Sequence, residues 1–406
     1  MEIFYDVAIV GGGLVGASLA IALGDSGLKV ALIEASPPRA STQASYDERN
    51  LALARATVTA LQTLGVWPAV AARATPIQRI HISRAGEFGS VRLDAQREHL
   101  ADFGAVLPAR ELGNGLVTAL DAAKSLARIT PAQVTGLRDE GDAVRLTVLR
   151  DGAESTLRTR LLVGADGTDS FVRNALGIEV EEVDYAQTLF VGTVTPEREM
   201  EGCAYERFSD FGPVALLPLS ERRAGLILSV PTSEAASVAA MNDADYLALA
   251  QQHFGWRAGR FLRAGKRMAH PIRRVIARTL TAPRAVLVGN AAQTIHPIGA
   301  QGFNLGLRDA LTLAELIIVA AREQRDVGDA SLLGDYTQRR RDDREGTLAF
   351  SDGLVRLACS PAAPLKPLRS LGMALLDGIA PLREAVARRG MGFRGVPNTY
   401  ALGVKP

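Results

Sequence analysis

Asp6-Val7-Ala8-Ile9-Val10-Gly11-Gly12-Gly13-Leu14-Val15-Gly16, continued by Ala17 to Leu23, decides the fold of this 406-residue chain. A short apolar strand runs straight into a glycine turn, and the turn into a helix of small residues. A second strand, Lys29-Val30-Ala31-Leu32-Ile33, ends at Glu34, twenty-one residues past Gly13. Strand, turn, helix, strand and acid together form a βαβ dinucleotide unit in its full context. Gly11 makes the tight turn, Gly13 lets the backbone approach a pyrophosphate beside Leu14 and Val15, and Gly16 lets the helix sit close to the strand. A carboxylate at position 34 suits an unphosphorylated ribose 2′-OH, so the unit reads as a site for the adenosine diphosphate part of FAD or NAD.

A second stretch far along the chain has a related grammar. Leu287-Val288-Gly289-Asn290-Ala291-Ala292 leads through Ile295-His296-Pro297-Ile298-Gly299-Ala300-Gln301-Gly302-Phe303-Asn304-Leu305-Gly306 into an apolar-periodic helix. Backbone N–H groups converge there beside a surface without bulky side chains, which suits a planar, partly anionic ligand. His296, next to a proline, reads as structural or as flanking that ligand; no nucleophile is evident. Between these stretches, Leu161-Leu162-Val163-Gly164-Ala165-Asp166-Gly167 delivers Asp166 from a buried strand into a turn ahead of Val172 and Arg173. Asp166 is either beside the ligand or a turn and helix-capping residue. Arg49, in Asp47-Glu48-Arg49-Asn50 before a helix-like Leu51–Leu64, either reaches the ligand or belongs to a solvated cap. Arg110 rides on a helix opened by Pro108-Ala109-Arg110-Glu111-Leu112 and running through Leu120.

The remaining pattern gives the domain plan. Residues 144–148 and 157–161 alternate around Asp151-Gly152 and form a hairpin. Residues 76–99 are strand-like, and 176–275 alternate between turns, with a helix near Ala244–His253. The expected class is α/β: a Rossmann-type dinucleotide domain (1–75, 100–175, 276–345) with an inserted α+β domain built on an antiparallel sheet (76–99, 176–275). A helical, basic C-terminal region (346–406) follows, and 306–344 reads as a long helix or helix pair. From Arg356 onward eight Lys/Arg face two acids. Such a tail fits a membrane surface, an acidic partner or a solvated helical face.

Composition narrows the classes further. Hydrophobic content of 47% and charged content of 22% are ordinary for a globular protein, and a net charge of +2 gives no footprint for nucleic acid. Cys203 and Cys359 lack a CxxC or histidine partner, and five scattered histidines offer no metal site. No basic leader precedes the first strand and no window is apolar enough to span a bilayer, so a cytoplasmic protein with at most peripheral membrane contact is expected.

Gly11–Gly16 with Glu34, Ala165-Asp166-Gly167 through Arg173, and Gly289-Asn290 through Gly306 together resemble the single-component flavoprotein aromatic hydroxylases of the para-hydroxybenzoate hydroxylase fold. The likeness spans essentially the whole chain. Asp47 to Ala54, Glu206-Arg207-Phe208, Gly289 to Thr294 and Gly302 to Gly306 are similar to the ubiquinone-biosynthesis branch. Where the wider family has Gly-Asp, this chain has Gly289-Asn290, a feature of the 6-methoxyphenol hydroxylase subgroup or else a sign of weakened FAD binding. The resemblance implies FAD as cofactor and NAD(P)H as co-substrate, the latter bound transiently since no second GxGxxG exists. It implies dioxygen adding at flavin C4a and one oxygen transferred to a polyprenylated methoxyphenol. Carried onto this chain, Gly11, Gly13, Leu14, Val15, Gly16 and Glu34 hold the ADP half of FAD. Arg49 and Arg110 contact its phosphates or ribityl chain, and Asp166 sits near the pyrophosphate, its stretch to Arg173 also serving the nicotinamide nucleotide. Asn290 takes the ribityl chain, while Pro297, Gly302, Phe303 and Asn304 border the isoalloxazine. The sequence does not say which residues line the substrate pocket; Tyr205, Phe208 and Phe211 are candidates from position alone. The same fold acting at another ring position or on a soluble phenol, and a flavin-loaded subunit without turnover in a ubiquinone-biosynthesis complex, remain open beside this reading.

Overall fold

The first strand, Ile3–Val10, is central to a largely parallel sheet, with Val30–Ile33 on one side and Ala153–Gly164 on the other. This is a computed structural model that describes residues 3–36, 49–123, 125–358, 360, 362, 364–393 and 395–406. Val7, Ala8 and Ile9 are fully buried, as befits a parallel strand covered on both faces. Ala285–Leu287 extends the sheet beyond Ala153–Gly164 in parallel, so the chain returns to this sheet after an excursion of more than a hundred residues. Val144–Arg150 and Ala153–Gly164 form the expected hairpin, turning through Asp151 (φ 51) and Gly152 (φ 78), the left-handed pair a two-residue turn requires.

The excursion builds a second, eight-stranded sheet, antiparallel apart from one pair. Phe261–Ala277, Val180–Pro196, Ala224–Pro231, Gly212–Pro218 and Cys203–Ser209 follow one another across it. Arg79–Arg84 then pairs parallel to Cys203–Ser209, and Ser90–Asp94 closes the edge. Residues from the first quarter of the chain thus finish a sheet made mostly by its middle. One face is covered by the helix Asp243–Phe254, through Tyr246, Ala250 and Phe254. On the other face, Ala204 and Leu217 share a core cluster with Val106.

A small third sheet joins the two. Asn50–Ala54 pairs with Gly104–Pro108, and Thr75–Pro76 with the latter. This corrects the expected helix over Leu51–Leu64: the first residues are a strand, and the helix is Arg55–Thr63. Leu51-Ala52-Leu53-Ala54 suits helix by local propensity, but pairing with Gly104–Pro108 prevails.

The segment 306–344 resolves into two helices, Gln301–Arg322 and Ala330–Ala358. The basic Arg339–Arg344 run lies inside the second helix, and two of its members are interior. Arg340 pairs with Asp309 at 2.7 Å and with Asp343 at 2.7 Å, while Arg308 pairs with Asp343 at 2.7 Å. Gln293 donates to Asp309 at 2.5 Å, and Arg344 donates to Gln293 at 2.8 Å and to the Ala277 carbonyl at 2.8 Å. Charges of both signs therefore neutralise one another where the two helices meet the loop after Ala285–Leu287.

The C-terminal helices Leu365–Gly378 and Ala380–Gly390 lie against the edge of the second sheet. Arg369 and Glu87 form a buried, two-pronged ion pair, Arg84 adds to Glu87 at 3.1 Å, and Arg383 holds Glu98 at 2.7 Å. Beyond them Tyr400 is buried and its hydroxyl donates to the Ala22 carbonyl at 3.3 Å, so the chain ends on the first helix.

Candidate functional site

The glycine turn has the shape its sequence requires. Gly11 has φ +105, and a Cβ there would run into the Ala165 carbonyl; at Gly16 a Cβ would overlap the Gly11 carbonyl oxygen. Gly13 faces open space. It precedes the helix Leu14–Leu23, whose first turn carries no side-chain cap and no acid, so its N–H groups are left for an outside acceptor. Glu34 closes the turn: its Oε2 accepts from the Gly12 N–H at 2.5 Å and its Oε1 from the Ser36 N–H at 2.7 Å.

The second glycine loop lies against the first through one side chain, Val15. Gly289 (φ +61) is so close that a Cβ would stand 3.1 Å from Val15 Cγ1. At Gly306 a Cβ would stand 3.0 Å from both Val15 Cγ2 and the Gly289 Cα. Only glycines permit this three-way packing of the first helix, the 289 loop and the helix Gln301–Arg322. That helix opens from Gly299 (φ 65) and Ala300 (φ 52), two successive left-handed residues, and its first turn also lacks a side-chain cap and an acid. For Ala300 this conformation is strained by roughly 1 kcal/mol. Two helix N-termini, one from each glycine loop, are thus brought to one region of the molecule, each able to stabilise negative charge.

The remaining expected residues fall around this axis in different ways. Arg110 sits one turn before Gly113, which approaches Leu14 Cδ2, and its Nε meets Glu111 at 3.4 Å. The Ala109 N–H donates to the Arg49 carbonyl at 2.9 Å, so the backbone of Arg49, which is exposed, lies beside the start of the helix that carries Arg110. Asp47 and Glu48 lie outside the described residues. Asp166 touches the Gly11 turn with its backbone, while its carboxylate accepts from Ser170 Oγ at 2.6 Å and the Val172 N–H at 3.0 Å. Those bonds are the capping role. Arg173 donates to the Ala291 carbonyl at 3.1 Å and the Thr168 carbonyl at 2.9 Å, tying this turn to the 289 loop.

Asn290 and Pro297 are exposed, Gly302 has open space where a Cβ would point, and Phe303 is half-buried against the main core. Asn304 is buried, and its amide is fully used. It accepts from the Ala54 N–H at 2.9 Å and donates to the Ala52 carbonyl at 2.9 Å and the Ala300 carbonyl at 2.7 Å. Through these bonds it locks the small third sheet to the left-handed turn.

His296 is buried, and desolvation drives its pKa down to about 4, so the ring is neutral. Its Nδ1 accepts from the Ile298 N–H at 3.2 Å, which leaves the proton on Nε2, 3.4 Å from Gln187 Oε1. Tyr185 packs edge-on at 5.0 Å. The arrangement is the structural one, holding the loop against the second sheet.

Two of the expected pocket residues belong elsewhere. Tyr205 points to the helix-covered face, with Phe254 at 5.6 Å, and the exposed Phe211 packs on His253 at 5.2 Å. Strand alternation puts Tyr205 on the side opposite Phe208, and Phe211 lies in the turn after that strand; Phe208 is buried in a cluster with Ile298 of the second glycine loop. The lining of the Phe208 face includes Leu189, Val191, Ile227 and Glu206, whose sidedness is set by pairing with distant strands and has no local signal.

The site fits a flavin adenine dinucleotide: open glycine backbones at both ends, two uncapped helix N-termini, and a path between them bounded by Val15. No His/Cys/Asp/Glu group able to hold a metal occurs among the described residues. Comparison with known proteins agrees with the fold and with FAD as the cofactor. A family profile described as FAD binding domain matches residues 4–351. The ubiquinone hydroxylase UbiL of Rhodospirillum rubrum is 36% identical over 401 residues, covering 99% of this chain and 91% of that protein. The 3-demethoxyubiquinol 3-hydroxylase of Escherichia coli is 32% identical, covering 96% of this chain and 98% of the relative. The human mitochondrial ubiquinone biosynthesis monooxygenase COQ6 is 30% identical, covering 94% and 91%. Among solved structures, p-nitrophenol 4-monooxygenase PnpA from Pseudomonas putida superposes with TM-score 0.81 at 18% identity, covering 98% of this chain and all of that one.

Proposed function

The chain belongs to the FAD-binding-domain family, and from that premise we propose that it is a NAD(P)H-dependent flavin monooxygenase hydroxylating a polyprenylated methoxyphenol in ubiquinone biosynthesis. The observation that carries the reading is the meeting of the two glycine loops at Val15, which joins an adenine end and a flavin end in one site. Hydroxylase names among relatives that cover nearly the whole chain support the substrate class. When bound, FAD supplies the redox chemistry: it takes electrons from NAD(P)H and activates dioxygen.

The chain's own residues bind, orient and exclude water. Gly11, Gly13 and Gly16 with the N–H groups of Leu14 and Val15 hold the pyrophosphate, and Glu34 sets the turn beside the ribose. Arg49 and Arg110 stand where phosphate charge needs neutralising, and Asp166 fixes the turn beneath it. Asn290 offers an amide to the ribityl chain. Pro297, Gly302 and Phe303 border the ring, with Asn304 locking the turn beneath, and the helix opening at Gln301 directs its dipole there. The apolar face of Leu189, Val191 and Ile227 covers the ring and accommodates a greasy phenol.

The narrower reading, a 2-octaprenyl-6-methoxyphenol hydroxylase, rests on Asn290 in place of an aspartate. A lipid-borne substrate also gives the C-terminal helices a role at an anionic membrane surface. Leu368, Leu371, Leu375, Ile379 and Leu382 are exposed large aliphatics, with Lys366 and Arg388 exposed near them. No helix among the described residues is long and apolar enough to cross a membrane. Deleting the gene and identifying the accumulated quinone precursor tests the assignment. A precursor lacking the hydroxyl at that ring carbon is expected; one already hydroxylated there moves the reaction to another ring position.

A further inference from the structure

One carboxyl on the inner face of the second sheet has no partner in the fold. Glu206 lies in the middle of Cys203–Ser209, opposite Ala215 on one side and Ile82 on the other. Alternation puts it on the same face as Ala204 and Phe208, its neighbours two residues away. Ala204 belongs to a core cluster that includes Val106 and has Ala52 packed against it, and Phe208 to one that includes Ile298, so this face looks at the small third sheet and the loop that opens the helix Gln301–Arg322. Tyr205 and Arg207 take the opposite face, toward Phe254 and Gly255. Glu206 therefore stands between the sheet and the loops that form the flavin end of the site.

Its surroundings are apolar. Its neighbours on the flanking strands, Ile80, Ile82, Ala215 and Leu217, carry no titratable group; Arg84, next on this face past Ile82, is engaged by Glu87, Asp210 and the Ala358 carbonyl, and His296 is turned to Gln187. Desolvation alone raises the carboxyl to about 8, and no cation opposes the shift. The residue is half-buried, so its carboxyl is within reach of a ligand lying on this face. An unpartnered, partly desolvated carboxyl is unfavourable unless a ligand uses it.

We propose that Glu206 binds the ring hydroxyl of the phenolic substrate and takes its proton. The phenol O–H bond breaks, its electron pair stays on the ring oxygen, and the proton moves to a Glu206 carboxylate oxygen. The ring is left more electron-rich for oxygen transfer. The proton returns to the ring oxygen as the product rearomatises, the hydrogen of the newly oxygenated carbon leaving to water as a proton. A base whose affinity for protons lies near neutral pH is well matched to this transfer. The inference rests on the phenol-hydroxylase reading above.

The test uses the FAD-loaded protein and 2-methoxyphenol, whose hydroxyl ionises only near pH ~10 as an ordinary phenol does, with flavin content recorded for every variant. Wild type should bind it, seen as a perturbed flavin spectrum, and its turnover should rise with pH as the Glu206 carboxyl ionises. Glu206→Gln should still bind the phenol but turn over about 10²–10³-fold more slowly, with that rise gone. Glu206→Asp should keep part of the rate and a rise displaced in pH. A Gln variant that keeps wild-type turnover or the rise overturns the proposal, as does a wild type that binds the phenol and shows no rise. A wild type that neither binds phenols nor changes its flavin spectrum overturns the phenol-hydroxylase reading itself, and this inference with it.

Discussion

Replacing Glu206 by Gln should stabilise the protein at pH 8 and leave it unchanged at pH 4.5. The folded carboxyl binds its proton up to about 8, whereas the unfolded chain releases it near the ordinary value of 4.5. Between those values the folded state holds more protons than the unfolded state, so wild-type stability falls as pH rises through this window. A tenfold change in proton affinity is worth about 1.4 kcal/mol, so the window corresponds to at most about 4–5 kcal/mol. Because the side chain keeps accessible surface, solvent screening reduces this to about 2 kcal/mol. Glutamine has the same shape and never charges, so it avoids the loss. Melting temperatures of the two proteins, measured in parallel from pH 4.5 to 8, should diverge by a few degrees at the alkaline end. Curves that stay parallel across the window would show that the carboxyl is not desolvated.

Gly11→Ala should purify with less than about a tenth of the wild-type flavin, because the left-handed backbone and the approach to Ala165 both exclude a Cβ; flavin absorbance per protein measures it. Asp343→Ala leaves Arg308 and Arg340 without their shared carboxylate and should lower stability by about 3–5 kcal/mol in urea unfolding. His296 resists protonation to about 4 when folded but takes a proton near 6.5 when unfolded, so it removes stability as pH falls from 6.5 toward 4. A His296→Gln variant should show less acid sensitivity in that window, and an equal slope in both proteins would contradict the buried neutral ring. Arg369→Ala should expose the C-terminal helices to limited proteolysis while the flavin content stays near normal.

What was legible in the sequence follows from what is local. The turn at Gly11–Gly16, the hairpin at Asp151-Gly152 and the helix Asp243–Phe254 depend on backbone freedom and periodicity within a few residues, and the structure has them where the pattern puts them. Asn50–Ala54 was not legible, because its strand character comes from pairing with residues about fifty positions away. The same holds for the side of the sheet on which Glu206 and Tyr205 lie, fixed by Arg79–Arg84, and for the hold of Glu87 on Arg369 across 282 positions. Glycine spacing announced the two ends of the site; that they meet at Val15 is a tertiary fact. Asn304 illustrates the limit: the resemblance placed it beside the ring, while its three hydrogen bonds, which fasten backbone to backbone, had no local signal.

The most direct measurement supplies purified, FAD-loaded protein with NAD(P)H, dioxygen and a polyprenylated methoxyphenol, and follows the phenol by mass spectrometry. The account predicts consumption of NAD(P)H that rises with the phenol and a product heavier by one oxygen atom, labelled when the dioxygen is labelled. Consumption of NAD(P)H without an oxygenated product, or protein that retains no flavin, would contradict it.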